Sequence, residues 1–193
     1  LTKVTNKHLL PIYDKPMIYY PIETLKIGGI EDMLLITGPE HAGDFTNLLG
    51  SGREFGINLT YKVQDSPDGI AGALSLAEDY ANGDPIAVIL GDNIFTEKFD
   101  LKNFETGARV FLKIVPTPTR YGVAELGEDK QIIGIEEKPE KPKSNYAVTG
   151  LYQYDSRVFD IIRRINPSKR GELEISDVNN AYIKLNALQL ELV

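Results

Sequence analysis

Cysteine and tryptophan are absent from this sequence of 193 residues, and only two histidines, His8 and His41, occur. Without cysteine the chain has no disulfide framework and no thiolate nucleophile, and two histidines leave little room for a histidine-rich metal site. No apolar run approaches the roughly 20 residues that a membrane-spanning helix needs, and no leader segment is recognisable. We therefore expect a soluble, cytoplasmic protein with no membrane partner.

Positive charge is scarce as well, because 21 lysines and arginines stand against 28 aspartates and glutamates, which gives a net charge of -7. A general nucleic-acid-binding protein usually has a basic surface, so this balance argues against a nucleic-acid partner. It permits a small anionic ligand that a few local lysines hold. The motifs of P-loop kinases, dinucleotide-binding dehydrogenases, serine hydrolases and zinc proteases are also missing, which removes the usual support for those classes.

Short apolar runs within Glu31–Thr37 and over Ile86–Leu90 are typical of strands that are buried on both faces, and Leu59–Val63 is a further predicted strand. Apolar spacing around them predicts helices over Lys15–Ile27, over Pro39–Leu49 and after a capping Asp68. Strands that alternate with helices favour an α/β fold, with an open, mostly parallel, Rossmann-like mixed sheet flanked by helices.

The second half has strand patterns separated by turn residues: Arg109–Val115, Gly122–Leu126, Gln131–Glu137 and Tyr146–Tyr154. The spacing of apolar residues then predicts a helix over 173–185. The alternating run Leu188–Val193 is typical of an unfinished strand. At about 150 residues per domain, the length predicts a single domain over 1–193 with two halves, 1–95 and 107–193. The chain begins in mid-pattern, so we expect this domain to be truncated at both ends.

The run Gly91-Asp92-Asn93 directly follows the most apolar predicted strand. In open α/β sheets, ligands bind at the carboxyl ends of the strands. A short acidic side chain there, after a glycine that lets the backbone turn, suits a Mg²⁺ ion. The same residues also fit an ordinary Asx turn, and spacing alone does not separate the two interpretations.

Two other stretches precede predicted helices and could bind anions. Lys3 and Lys7 lie in a loop of small polar residues, where lysine suits a phosphate. His8, beside apolar neighbours, is more typical of packing. In the loop 64–69, free helix amides suit an anion, and the Gln64 amide can pair with a base edge. A solvated loop and ordinary capping are the alternatives for these stretches.

Charged residues also bracket two strands of the second half, in Arg120-Tyr121-Gly122 and in Glu136-Glu137-Lys138. An acidic residue beside a lysine can hold a sugar hydroxyl and a phosphate together. Charged pairs at strand ends are, however, usually solvated surface. The tyrosines of the Tyr146–Tyr154 strand are more typical of core or rim positions than of a cofactor site.

Taken together, these stretches resemble one family. The motifs that carry the resemblance are Lys7-His8-Leu9-Leu10-Pro11, Gln64-Asp65-Ser66-Pro67-Asp68-Gly69, Leu90-Gly91-Asp92-Asn93, Glu136-Glu137-Lys138-Pro139 and Arg170-Gly171-Glu172-Leu173-Glu174. Their order over 1–193 is similar to that of the glucose-1-phosphate thymidylyltransferase family of sugar nucleotidyltransferases. The resemblance implies the fold of nucleotide-diphospho-sugar transferases, with the nucleotide in the half 1–95 and the sugar phosphate in the half 107–193.

The resemblance implies a Mg²⁺-dependent enzyme that joins dTTP and α-D-glucose 1-phosphate into dTDP-glucose and pyrophosphate. The sugar phosphate would attack the α-phosphorus in line, which requires two mutually repelling anions to be positioned and charge to be stabilised. By motif, Lys7 and Asp92 would be catalytic, and Asp92 would hold the metal. Nucleotide binding would fall to Lys7, His8, Gln64, Pro67, Gly69, Gly91 and Asp92. Sugar-phosphate binding would fall to Asn93, Tyr121, Gly122, Glu137, Lys138, Val148 and Tyr152.

The chain also departs from the family pattern. The glycine-rich signature belongs upstream of Leu1 and the second metal-binding aspartate beyond Val193, so we expect these 193 residues alone not to turn over. His8 stands where the family usually has a glutamine. The alternatives are a UTP- or CTP-dependent sugar-1-phosphate nucleotidyltransferase and a catalytically inactive sugar-nucleotide-binding module. The resemblance also implies a homo-oligomer and a place in dTDP-rhamnose and polysaccharide biosynthesis.

Overall fold

The computed structural model of the chain describes residues 6–193. Lys3, one of the two lysines predicted to bind phosphate, lies outside the described residues, whereas Lys7 lies within them. Over the described part of the chain, every helix falls short of the length and apolar character that crossing a membrane requires.

The chain divides into two compact units. The first unit runs to Pro67 and takes in Ile89–Asn103 as well, and the second comprises Asp68–Val88 and Phe104–Val193. The chain thus leaves the first unit after Pro67 and returns to it at Ile89. The sequence alone indicates a change of composition between 95 and 107, rather than a domain boundary. The expectation of one domain, truncated at both ends, stays a prediction.

The first unit contains a small parallel sheet and two helices. After a 3₁₀ turn over Lys7–Leu9 come β1 (Pro11–Ile12), β2 (Lys15–Pro16), α1 (Tyr19–Ile27), β3 (Asp32–Thr37), α2 (Ala42–Leu49) and β4 (Asn58–Val63). β3 and β4 pair in parallel along their whole lengths. The core is a cluster of buried apolar side chains: Ile18, Ile22, Met33, Phe45, Leu49 and Ile57. The apolar positions that the helical and strand patterns indicate are therefore the ones this unit buries.

The second unit is built around a larger sheet. Its elements are α3 (Gly69–Ser75), α4 (Glu78–Ala81), β5 (Ile86–Ile89), β6 (Ala108–Ile114), β7 (Gly122–Leu126), β8 (Ile132–Glu137), β9 (Tyr146–Tyr154), α5 (Arg157–Ile162), α6 (Ile175–Lys184) and β10 (Leu188–Leu192). The strands lie in the order β10-β6-β9-β7-β8, and β5 pairs with β9. The chain returns to the first unit where β5 ends, so the turn that carries Asp92 belongs to that unit.

The large sheet is mixed. β10 pairs with β6 in parallel, whereas β6 with β9, β7 with β8, and β7 with β9 pair antiparallel. A short turn joins β7 to β8, and two strands joined by a tight turn run in opposite directions. The predicted α/β class and mixed sheet are confirmed. The parallel pairing expected from helix–strand alternation in the first half occurs in β3–β4. The large sheet is not mostly parallel, because its described pairings are antiparallel except for β6 with β10.

Most predicted elements occur close to their predicted bounds. β7 and β9 occupy the predicted ranges, and β10 is the strand that the final alternating run indicates. The helix predicted from Lys15 begins only at Tyr19, because Lys15 and Pro16 pair with β1 in a short antiparallel ladder. Within residues 6–193 the Asp68 side chain makes no capping hydrogen bond to α3, so that predicted cap is wrong.

Candidate functional site

Lys7 and Asp92, the two residues predicted to be catalytic, lie in direct contact in the first unit. The Lys7 ammonium donates to Oδ2 of Asp92 over 2.5 Å, although 85 positions separate the two residues in sequence. Lys7 lies on the 3₁₀ turn before β1, and Asp92 on the turn after β5. Their side chains are 51% and 37% exposed. A cation and an anion are thus presented together and open to solvent, which suits a ligand that brings both phosphate and a metal ion.

The carboxylate of Asp92 is held in its charged form. Partial burial acts to raise its pKa, but the hydrogen bonds from Lys7 and Asn93 and the positive charge of Lys7 act together to lower it, so the pKa of Asp92 lies below its ordinary value. The other carboxylate oxygen, Oδ1, accepts a hydrogen bond of 3.0 Å from the Asn93 side-chain amide. Asp92 is therefore an anion at neutral pH, which is the state that a divalent cation binds.

His8 packs its ring against the backbone of Gly91, where an added Cβ would lie 3.1 Å from ring Cδ2. The His8 backbone is also held, since its N–H donates to Oδ1 of Asn6 and its carbonyl accepts from the N–H of Ile18. Burial, and then the charge of Lys7, lower the pKa of His8, so the ring is neutral at pH 7. These contacts fit the packing interpretation, and a role of His8 in nucleotide binding stays a prediction.

Gln64 and Pro67 lie in the loop that follows β4 in the first unit. The Gln64 N–H donates to the carbonyl of Thr37 over 2.9 Å, which extends the β3–β4 ladder by one residue. Gln64 is half-buried, whereas Pro67 is exposed. Gln64 therefore lies at the carboxyl end of a parallel strand, the edge at which α/β sheets bind ligands.

Gly69 begins α3 in the second unit, and only glycine fits there without strain. Its φ is +89°, and an added Cβ would lie 2.6 Å from the carbonyl oxygen of Leu173. Two backbone hydrogen bonds hold this close approach, from Leu173 N–H to the Asp68 carbonyl and from Ala71 N–H to the Leu173 carbonyl. The backbone conformation and this close approach thus account for a glycine at position 69, and its role in nucleotide binding stays a prediction.

A second polar group surrounds the carboxylate of Glu137 at the end of β8. Gly122 lies opposite Glu137 in the β7–β8 ladder, and the Ser176 hydroxyl donates to Glu137 Oε2 over 2.6 Å. Lys138 Nζ and Arg170 Nη2 lie 3.8 Å and 4.0 Å from Oε1 of the same carboxylate. We call Glu137, Lys138, Arg170 and Ser176 the Glu137 cluster. It presents one anionic and two cationic groups, which suits a ligand that carries both hydroxyls and phosphate.

Two members of the Glu137 cluster carried no role in the sequence-based prediction. The Arg170 guanidinium donates to both carboxylate oxygens of Glu174, at 2.9 Å and 2.8 Å, and Ser168 donates to Oε1 of the same residue. Paired hydrogen bonds of this kind fix the direction of an arginine as well as its place. The charge-rich run 170–174 is the feature of the sequence that could have indicated a functional role for Arg170. Ser176 gave no signal, because its partner is 39 positions away in sequence.

The remaining residues predicted for the sugar phosphate differ in exposure. Tyr121 is 43% exposed, and its carbonyl accepts a hydrogen bond from the Lys138 N–H over 3.0 Å. Val148 and Tyr152 on β9 are buried, and the Tyr152 ring stacks on Tyr154 with ring centroids 6.0 Å apart. These buried positions match the core interpretation of the tyrosines on this strand.

The donor set at Asp92 can be compared with what a metal ion needs. In the part of the chain that the structure describes, no group of three or more His, Asp or Glu side chains is placed to hold a metal ion. Mg²⁺ in nucleotide-dependent enzymes uses one or two carboxylates and takes its other ligands from substrate phosphates and water. The single charged carboxylate of Asp92 therefore fits a Mg²⁺ ion that binds together with a nucleotide. It does not fit a metal centre built by these residues alone.

Comparison with known families and curated proteins gives matches over the whole chain. A family model described as nucleotidyl transferase matches residues 1–193. The glucose-1-phosphate thymidylyltransferase of Neisseria meningitidis serogroup A is 46% identical, over 100% of this chain and 69% of the relative. The protein of the same name from Xanthomonas campestris pv. campestris strain B100 is 48% identical, over 99% of this chain and 67% of the relative. The chain spans about two thirds of the length of these relatives.

Solved structures give a consistent result. A crystal structure described as a glucose-1-phosphate thymidylyltransferase from Bacillus anthracis, in complex with a sucrose, superposes with a TM-score of 0.93 at 51% identity. It matches 100% of this chain, which covers 80% of that chain. A UDP-glucose pyrophosphorylase complexed with UDP-glucose superposes with a TM-score of 0.81 at 27% identity, over 97% of this chain and 82% of the other. Identity is thus higher to the structure described as a thymidylyltransferase than to the one bound to UDP-glucose.

Proposed function

The chain belongs to the nucleotidyl transferase family, and we propose that it catalyses the reaction after which its curated relatives are named. In that reaction dTTP and glucose 1-phosphate are joined into dTDP-glucose, and pyrophosphate is released. The observation that carries the proposal is the contact of Lys7 with Asp92, since it puts a cation that suits a phosphate beside an anion that suits a metal ion. Identities of 46% and 48% over essentially the whole chain support this particular member of the family.

In the first unit, we assign Lys7, Gln64 and Asp92 to the nucleotide. The Lys7 ammonium would donate to the triphosphate and reduce the repulsion between its charges. Gln64, at the carboxyl end of β4, would use its amide to pair with the base edge. Asp92 would be the chain's ligand to Mg²⁺. When bound, Mg²⁺ would orient the triphosphate and polarise its oxygens as a Lewis acid.

In the second unit, we assign the Glu137 cluster to glucose 1-phosphate. The carboxylate of Glu137 can accept hydrogen bonds from two sugar hydroxyls, since a carboxylate has two acceptor oxygens. Lys138 and Arg170 lie on the Oε1 side of that carboxylate and would donate to the phosphate. The anionic group thus selects the sugar, and the two cationic groups hold the phosphate.

The chemical step needs no proton transfer from the nucleophile. An oxygen of the glucose 1-phosphate phosphate forms a bond to the α-phosphorus of dTTP. The bond from that phosphorus to the oxygen bridging to the β-phosphorus breaks, and its electron pair leaves with pyrophosphate. Because phosphate oxygens are already anionic, the residues have to position two anions and stabilise the charge that shifts between them.

An assay of pyrophosphate release by the complete gene product tests the proposal. With glucose 1-phosphate and Mg²⁺ we expect turnover with dTTP, and a kcat/KM for UTP that is lower by about tenfold or more. UTP lacks the C5 methyl group of thymine and has an added 2′-hydroxyl, and one missing methyl group in a fitted apolar pocket costs about tenfold or more. Equal or better rates with UTP or CTP would instead identify a uridylyl- or cytidylyltransferase. Binding of dTDP-glucose without any turnover would identify an inactive binding module. The cytoplasmic location and the homo-oligomer stay predictions.

Replacing Ser176 by alanine is expected to raise the KM for glucose 1-phosphate about fivefold, because Glu137 then loses the hydrogen bond that orients it. The KM for dTTP should not change, since Ser176 belongs to the second unit and the residues assigned to the triphosphate belong to the first. Initial rates over a matrix of both substrate concentrations measure the two constants. Ser75→Ala, which removes a hydroxyl that donates to the Gly72 carbonyl of its own helix, is the control. Equal increases in both KM values would contradict this prediction.

A further inference from the structure

We assign Lys7 to the nucleotide phosphates and Asp92 to a metal ion, yet in this structure the two side chains bind each other. The Lys7 ammonium occupies Oδ2 of Asp92, and the Asn93 amide donates to Oδ1. Both oxygens of the metal-binding carboxylate thus already accept hydrogen bonds from this chain. In electrostatic terms, the ammonium stands where a metal ion would be expected.

A divalent cation and the Lys7 ammonium cannot share this position. Mg²⁺ binds carboxylate oxygens at about 2.0 to 2.1 Å, and the ammonium already lies 2.5 Å from Oδ2. Two cations on one oxygen would lie within a few ångströms of each other and repel strongly. Lys7 must therefore leave Oδ2 whenever a cation binds there.

We propose that Lys7 is a positioning residue for Asp92 in the free protein, and that it exchanges partners, from Asp92 to the nucleotide phosphates, when the metal-bound nucleotide arrives. This inference rests on the proposed function, because it takes Asp92 as the metal ligand and a nucleotide as the source of the phosphates. Its consequence is that the metal ion alone binds weakly. A metal–nucleotide complex binds well, because its phosphates give the displaced ammonium a new anionic partner.

The local structure allows this exchange without a change of fold. The backbone around Lys7 is held by the hydrogen bonds of His8 to Asn6 and Ile18, so the Cα of Lys7 has a fixed place. Its side chain is 51% exposed and has four flexible methylene groups. The ammonium can therefore swing from the carboxylate to a neighbouring phosphate while the turn that carries it stays in place.

Mn²⁺ binding in the absence of nucleotide tests the proposal, with electron paramagnetic resonance counting the free ion. We expect Lys7→Met to bind Mn²⁺ about fivefold more tightly than the wild type, since an exposed ion pair that competes with the metal is removed. Lys26→Met is the matched control, because the Lys26 ammonium donates to the Phe55 carbonyl rather than to a carboxylate. Equal affinities of Lys7→Met and wild type, or no measurable Mn²⁺ binding by either protein, would overturn the proposal.

The reactivity of Lys7 toward an acylating reagent, measured by mass spectrometry of its peptide, provides a second test. In the wild type, Mg²⁺ alone should increase the rate of Lys7 acylation, and Mg²⁺ with dTTP should suppress it. In Asp92→Asn, Lys7 should react fast without Mg²⁺ and should not respond to it. A Lys7 rate that is the same in wild type and Asp92→Asn, and that Mg²⁺ does not change, would refute the exchange.

These measurements separate the inference from the proposed function, because neither needs turnover. If the protein releases pyrophosphate with dTTP but Lys7→Met does not change Mn²⁺ binding, the proposed function holds and the exchange is refuted. If the protein shows the exchange but turns over UTP rather than dTTP, the exchange holds and the proposed specificity for dTTP is refuted.

Discussion

Replacing Asp92 by asparagine is expected to lower kcat about a thousandfold in the complete gene product, the upper end of what one charge-stabilising group contributes. Asparagine has the shape of aspartate but lacks the negative charge that a divalent cation and the Lys7 ammonium require. The KM for glucose 1-phosphate should stay near its wild-type value, because the residues assigned to the sugar phosphate around Glu137 belong to the second unit. Pyrophosphate release at saturating substrates measures kcat, and circular dichroism verifies the fold.

Asp44→Asn is the matched control for this prediction. Asp44 lies on α2 of the same unit and contacts the His41 ring at 3.0 Å, and its side chain is 55% exposed. It is therefore another partly open aspartate with a basic partner, but it has no assigned role in the reaction. We expect Asp44→Asn to retain wild-type kcat. An Asp92→Asn enzyme that kept kcat within severalfold of the wild type would contradict the assignment of Asp92.

The largest effect on stability is expected at Asp155, a buried carboxylate in the second unit. Its Oδ2 accepts hydrogen bonds from the Gly107 N–H at 2.6 Å and from Arg157 Nη2 at 2.6 Å. Its Oδ1 accepts one from the Tyr182 hydroxyl at 2.9 Å. The residue that follows β9 is thereby tied to the start of β6, to α5 and to α6 at once.

Asp155→Asn is expected to destabilise the protein by about 3 kcal/mol, because a buried carboxylate that accepts several hydrogen bonds is replaced by a neutral amide. The amide group would also bring N–H donors against the donors of Gly107 and Arg157. For a chain of this size, this loss corresponds to a fall in melting temperature of about 10 °C. Thermal unfolding at pH 7 measures it, and a melting temperature equal to that of the wild type would disprove the role of Asp155.

The same carboxylate makes stability depend on pH in acid. Burial acts to raise the pKa of Asp155, but the hydrogen bonds from Arg157, Gly107 and Tyr182 outweigh it and lower the pKa from 3.8 to about 2. A carboxylate whose pKa is lower in the folded state stabilises the fold above its unfolded pKa. That contribution, about 2 kcal/mol, is lost as the pH falls from 3.8 toward 2. The difference in stability between wild type and Asp155→Asn should therefore shrink over this range.

Asp160→Asn provides the control for both measurements on Asp155. Asp160 lies on α5, and its side chain is 62% exposed and pairs with Arg163 at the surface. An exposed pair of this kind stabilises little, because water competes for both partners. We expect the melting temperature of Asp160→Asn to stay close to that of the wild type at pH 7.

Much of the fold follows from local patterns. The runs that became β3 and β5 contain stretches that are apolar on both faces, which is the signature of buried strands, and β7 and β9 have the predicted bounds. The short turn between β7 and β8 made their antiparallel pairing predictable. The path of residues 68–88 into the second unit was not predictable, because it depends on backbone contacts such as that of Asp68 with Leu173, which are far apart in sequence.

Some residues of the candidate site could likewise be predicted from the sequence, and others could not. Lys7, Asp92 and Glu137 could be named from motifs, since each lies in a run whose residue types suit phosphate, metal or sugar. The roles of Arg170 and Ser176 could not, because their contacts with Glu137 connect positions 33 and 39 residues apart. Tyr152 was assigned to the sugar phosphate by motif, and the structure places it in the core, as the tyrosine pattern of its strand also allowed.

The sequence by itself determined the α/β class, the family of the chain, and the residue types that carry its charge chemistry. These follow from short runs in which every neighbour is near in sequence. Only the tertiary structure decided which charges meet: the Lys7 ammonium with the carboxylate of Asp92, and the Ser176 hydroxyl with that of Glu137. The physical reason is that hydrogen bonds and ion pairs act over a few ångströms, and only chain packing brings residues tens of positions apart within that distance.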